Sequence, residues 1–145
     1  MLSRHTQVYF SLLRLLDLAL AFGVWEFAYQ LRFLWLNWPL AHEAPNHQEY
    51  LLAATLVSVL TGFSFSYTKV YQVQPLKREL FRVAKGVAGV IVLTLFAAFF
   101  YRDFSFSRLH LIYFLTLFTA VEFASRLLAY KGLRWLHAQG YHLER

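Results

Sequence analysis

Four long apolar runs separated by short charged knots constrain this chain more than any other feature of its sequence. The runs cover about residues 10–34 ("FSLLRLLDLALAFGVWEFAYQLRFL"), 50–67 ("YLLAATLVSVLTGFSFSY"), 83–101 ("VAKGVAGVIVLTLFAAFFY") and 109–130 ("LHLIYFLTLFTAVEFASRLLAY"). Each is close to the ~20 apolar residues with which a helix crosses the hydrocarbon of a bilayer. Composition agrees: 15% of residues are charged, against about 25% in an average soluble domain. The sequence therefore predicts an all-α integral membrane fold of four transmembrane helices. The domain spans 1–134, followed by a juxtamembrane segment at 135–145. The first run is too long, and carries too much charge at Asp17 and Glu26, to be a cleaved secretory signal, so it is expected to stay in the membrane.

Charge distribution sets the expected orientation, because cytoplasmic loops carry the excess of Lys and Arg. Arg4, Arg14, Lys69, Lys77, Arg78, Arg82, Lys85, Arg126, Lys131, Arg134 and Arg145 fall on one side; Arg32, Arg102 and Arg108 fall on the other. Both termini are expected in the cytoplasm. Of the basic set, Lys69, Lys77, Arg78, Arg82, Lys85, Lys131 and Arg134 are expected to face anionic lipid headgroups. That accounts for the net charge of +6 without nucleic acid, which is not expected as a partner. Trp25, Trp35, Trp38 and Trp135 suit interfacial depths.

Between the second and third runs lies "TKVYQVQPLKRELFRVAK". Pro75 can open a helix, since its missing N–H would find no partner there. Leu76, Leu80, Val83 and Val87 then recur at helical spacing with basic residues between them, which predicts an amphipathic interfacial helix running into the third span. Asp103, Ser105 or Ser107 can cap the fourth.

Ionisable groups inside a span are the first places to seek function, because inserting one costs at least ~2.5–3.5 kcal/mol. Four are candidates: Asp17, Glu26, Glu122 and Arg126. Asp17 and Glu26, nine residues apart, point to roughly opposite sides of a helix. Glu122 and Arg126 share a face. Two readings stand: an Asp17–Arg126 contact with Glu122 as third member, stapling the first and fourth spans, or an Arg126 site gripping a lipid phosphate.

Other patterns carry less chemistry. "HEAPNH" (His42, Glu43, His47) lacks H-E-x-x-H spacing and holds Pro45, so it reads as a solvated loop rather than a zinc site. His5, His110, His137 and His142 read as ordinary interfacial residues. "KGVAGV" lacks the ending of a phosphate loop; Gly86 and Gly89, with Ala84 and Ala88, suggest a close-packing helix face. There is no Cys, which excludes thiol chemistry. No acid, base and nucleophile come together, so no catalytic, metal or cofactor residue is assigned on this chain.

The order of these pieces is familiar. "LLDLALAF…YQLRF", "YTKVYQVQPLKRELFRVAKG", "FSR" and "SRLLAYKGLRWLHAQGYHLER" together resemble the N-terminal membrane region of the polyprenyl-phosphate sugar phosphotransferases. Asp17, Arg32, Tyr71, Glu79, Ser107, Arg108, Arg126, Arg134, Gly140, Tyr141 and Arg145 carry most of the likeness, which extends over essentially the whole chain. The resemblance implies a multi-pass protein of the bacterial inner membrane. Such a domain would anchor or position an enzyme that moves a sugar 1-phosphate from a nucleoside-diphosphate sugar to undecaprenyl phosphate, initiating exopolysaccharide or O-antigen synthesis. It further implies that the basic ending leads into a cytoplasmic domain not on this chain, where an Asp-Glu pair and Mg²⁺ would act. The bilayer and polyprenyl phosphate are the expected partners, with a homo-oligomer left open. Two alternatives remain: the membrane domain of a nucleotide-sugar dehydratase, and a small four-helix flippase-like carrier of lipid-linked sugars.

Overall fold

In a computed structural model, residues 4–32, 47–72, 74–100 and 108–140 are described. They form four helices in chain order: α1 (Arg4–Gln30), α2 (His47–Tyr67), α3 (Leu76–Phe100) and α4 (Arg108–Ala138). All four are long and apolar enough to cross a membrane. Each packs on two neighbours, α1 and α3 both lying against α2 and α4. Consecutive helices run antiparallel. The start of α1, the end of α2, the start of α3 and the end of α4 share one end of the bundle, which carries most of the basic residues and is called the basic end below.

Helical periodicity selects the core. On α3 the buried residues are Glu79, Val83, Gly86, Val87, Val90 and Thr94; on α4 His110, Phe114, Phe118, Glu122 and Arg126 recur every fourth position. Such stripes place one face inward, while Leu15, Leu52, Phe63, Val92 and Phe99 stand on the outside. A bundle apolar on both its inner and its outer faces is what a bilayer solvent selects.

Close approach of α2 and α3 depends on two glycines. A Cβ on Gly86 would lie 2.6 Å from the Phe65 ring, and one on Gly89 would collide with the Ser64 hydroxyl, which instead donates to the Gly86 carbonyl at 2.8 Å. Ala84 and Ala88, grouped with these glycines by the sequence pattern, are exposed and stand off this contact.

The turn after α2 is a Schellman motif. Val70 N–H donates to Phe65 O at 3.1 Å and Lys69 N–H to Ser66 O at 3.2 Å, with Lys69 in the left-handed region at φ 57°. Val70 and Phe65, fully buried, supply the hydrophobic contact of the motif. Arg82 donates to the Lys69 carbonyl at 3.0 Å and to Gln72 at 3.1 Å, pinning the turn to α3. Pro75 sits just ahead of α3 and accepts its first helical bond from Glu79 N–H at 2.9 Å.

Several sequence expectations change here. No separate interfacial helix precedes the third span; residues 76–82 are the first two turns of a continuous α3, because nothing between Arg82 and Val83 breaks the helical pattern. Helix α1 extends beyond the first apolar run to Arg4, and α4 beyond the fourth to Ala138. The expected caps Asp103, Ser105 and Ser107, the loop residues His42 and Glu43, and Trp35, Trp38, Arg102, His142 and Arg145 lie outside the described residues.

Candidate functional site: a buried charge cluster at the basic end

Asp17 is fully buried on α1, at a position of the stripe that also holds Leu13, Ala21 and Val24. One of its carboxylate oxygens accepts twice: from Arg126 Nη2 of α4 at 2.6 Å and from the Tyr71 hydroxyl of the α2–α3 turn at 2.6 Å. Glu79, in the first turn of α3, brings Oε1 to 3.8 Å from Arg126 Nε. Glu122 lies buried one turn before Arg126, with its carboxyl group beside Asp17. One guanidinium thus faces carboxyl groups from α1, α3 and its own helix.

The cluster ties three helices and a turn together where the chain reverses direction. Burial first, and the Asp17 carboxylate next, push the Tyr71 hydroxyl above the ordinary tyrosine range, so it stays protonated and donates. The other face of the Tyr71 ring carries Arg14, whose guanidinium carbon lies 4.8 Å from the ring centroid. Arg126 itself is wholly enclosed. Its guanidinium is therefore turned into the bundle toward Asp17 and Glu79 rather than presented at the surface.

The structure thus brings Asp17 and Arg126 into contact and places Glu122 beside them. Glu79 and Tyr71 also belong to the group, though no reading of charge within spans pointed to them. Glu79 carried a signal, since it begins the buried stripe on α3; Tyr71 carried none beyond its part in the family likeness. Lys69, Lys77, Arg78, Lys85, Lys131 and Arg134 ring the same end and are exposed, while Arg82 is half-buried in the turn. Lys85 rests over the Phe81 ring and Arg134 over Tyr130.

A second polar group occupies the opposite end. His110, expected at an interface, is fully buried instead. Its Nε2–H donates to the Trp25 carbonyl at 3.2 Å, and the rings of Trp25 and Tyr50 lie edge-on to it at 4.4 and 4.8 Å. His47, assigned to a solvated loop by sequence, is the first residue of α2 and donates to Glu26 at 2.6 Å. Among the described residues, no three His, Asp or Glu side chains gather to hold a metal ion.

What fold and cluster define together is a four-helix bundle of membrane-spanning length, locked at its basic end by buried charge. A family model described as a CoA-binding domain matches residues 64–145, more than half of the chain, and the chain belongs to that family. No curated protein and no solved structure matches it.

Proposed function

We propose that this chain is the membrane-anchoring and positioning domain of a bacterial sugar-1-phosphate transferase that acts on undecaprenyl phosphate at the inner membrane. The observation that carries the reading is the meeting of Asp17, Tyr71, Glu79 and Arg126. Those four residues, scattered over the sequence, were among the ones that carried the likeness to the phosphotransferases. The matched domain is one found in sugar-transferase-related proteins, which supports the same reading. In this account the basic end faces the cytoplasm. There Lys77, Arg78, Lys85, Lys131 and Arg134 hold the bundle against anionic headgroups, and the buried cluster fixes how α3 and α4 leave the membrane. In this account the domain sets the depth and angle at which a catalytic part meets its lipid substrate.

The family description also raises coenzyme A. Its phosphates call for a cradle of backbone N–H groups, usually a Gly-rich turn between strand and helix. Among the described residues of 64–140 there are only helices and a turn, and the space at Gly86 and Gly89 is taken by Phe65 and Ser64. These residues do not fit coenzyme A, and no step through it is assigned.

The test is deletion of the codons for residues 4–138 from the chromosomal gene. Membranes are then assayed for transfer of radiolabelled sugar 1-phosphate from a nucleoside-diphosphate sugar to undecaprenyl phosphate. The expected result is loss of transfer from the membrane fraction. Transfer at the parental rate would refute the proposal.

A further inference from the structure

A lateral groove of about 720 Å³ runs between α1 and α2, starting at the basic end. Its walls are Leu18, Phe22, Val59 and Phe63, and its head is formed by Arg14 and Ser66. Gly62 lets Leu18 lie close against α2: a Cβ there would be 3.0 Å from the Leu18 side chain. Behind it Ser58 donates to the Leu18 carbonyl at 2.8 Å, joining the two helices along its floor.

The dimensions and charge specify an occupant. From Ser66 to Thr55 the groove follows three turns of α2, a rise of roughly 16 Å. That is close to the hydrocarbon depth of one leaflet, half of about 30 Å. Arg14 is exposed at the head, and no carboxylate of the described residues pairs with it. Its guanidinium is held over the Tyr71 ring at 4.8 Å, and Tyr71 is fixed in turn by its 2.6 Å bond to Asp17. A cation held over an aromatic ring, with no carboxylate of the described residues on it, beside a hydroxyl and at the head of an open groove with apolar walls, complements a phosphate head with a hydrocarbon tail. A single guanidinium matches the single negative charge of a phosphodiester.

We propose that the α1–α2 groove is a specific site for one anionic phospholipid, with its phosphate on Arg14 and Ser66 and an acyl chain along Leu18, Phe22, Val59 and Phe63. The site goes beyond the proposed anchoring role and does not depend on it. It also lies apart from the general basic surface of α3 and α4.

The experiment is native mass spectrometry of the full chain released from phosphatidylcholine bilayer discs that contain increasing phosphatidylglycerol. The wild type should retain one phosphatidylglycerol in preference to phosphatidylcholine. Arg14→Gln should weaken retention by about tenfold, the worth of one charge-assisted contact, and Arg14→Lys by less. Val59→Trp, which fills the channel from an exposed position, should weaken it without touching the head. Arg4→Gln, a neutralised cation elsewhere on α1, should leave retention unchanged. Circular dichroism confirms that each variant is folded. The proposal is overturned by unchanged retention in Arg14→Gln, by equal loss in Arg4→Gln, or by phosphatidylcholine held as firmly as phosphatidylglycerol. Displacement of phosphatidylglycerol by an equal amount of undecaprenyl phosphate would overturn it in favour of a monoester site.

Discussion

Replacing Arg126 by Leu should destabilise the bundle more than replacing Asp17 by Asn, and the two effects should not add. Both partners are fully buried, their contact is 2.6 Å, and removing one member of a buried pair typically costs about 3–5 kcal/mol because the other is left uncompensated. The cluster makes the two losses unequal. In Asp17→Asn, Arg126 keeps Glu79 at 3.8 Å as an anion, and the new amide oxygen can still accept from the Tyr71 hydroxyl. Without Arg126, the carboxyl groups of Asp17, Glu79 and Glu122 lose the cation that they share. We expect a cost near the bottom of that range for Asp17→Asn and near the top for Arg126→Leu. The double variant should be less destabilised than the sum by roughly 1–3 kcal/mol, as for residues in direct contact. Exchanging the charges, Asp17→Arg with Arg126→Asp, should restore only part of the loss, since the new carboxylate would face Glu79. The assay is reversible unfolding in mixed micelles, followed by circular dichroism as the fraction of denaturing detergent rises. Additivity within about 0.5 kcal/mol would show that the contact contributes nothing and would refute the reasoning.

Three other expectations concern the glycines, the turn after α2 and Tyr71. Gly86→Ala should destabilise by roughly 1–3 kcal/mol through overpacking against Phe65, whereas Gly23→Ala, with nothing within 4 Å of its new Cβ, should be neutral or gain up to about 1 kcal/mol of helix propensity; the same unfolding assay separates them. Lys69→Gly should stabilise by about 1 kcal/mol, because a residue without Cβ occupies φ 57° without strain. Tyr71 has a raised folded-state pKa, so its contribution to stability is fully present below the ordinary tyrosine value of about 10 and is lost as pH rises above it. The ultraviolet difference between wild type and Tyr71→Phe should therefore show no tyrosinate between pH 9 and about 11, and a normal titration there would contradict the buried Tyr71–Asp17 bond.

The helices were legible because a bilayer imposes length and hydropathy together, and the charges of Asp17 and Arg126 stood out against apolar surroundings. Glu79 did not stand out, because it lies among the basic residues of "KRELFR", where an acid looks like an ordinary surface residue. Only the stripe from Glu79 through Val83, Val87, Val90 and Thr94 shows that it turns inward. His110 was lost in the same way: its place four residues before Phe114 continues the buried face of α4, although a lone histidine at a helix start suggests water. The turn after α2 was least legible. A Schellman motif usually takes Gly at its left-handed position, and Lys69 there gives no warning. Its bonds to Phe65, Ser66 and Arg82 are fixed by tertiary packing rather than by local propensity.

Because the chain contains no cysteine, a single substitution gives residues 1–145 one reactive thiol that can report its topology. Lys77→Cys at the basic end and Gln48→Cys at the opposite end, both at exposed positions, would be treated with a membrane-impermeant maleimide in intact and in permeabilised cells. Four crossings with the basic end in the cytoplasm predict that Gln48→Cys is labelled in intact cells and Lys77→Cys only after permeabilisation. Labelling of Lys77→Cys in intact cells, or of both alike, would contradict the orientation on which the anchoring role depends.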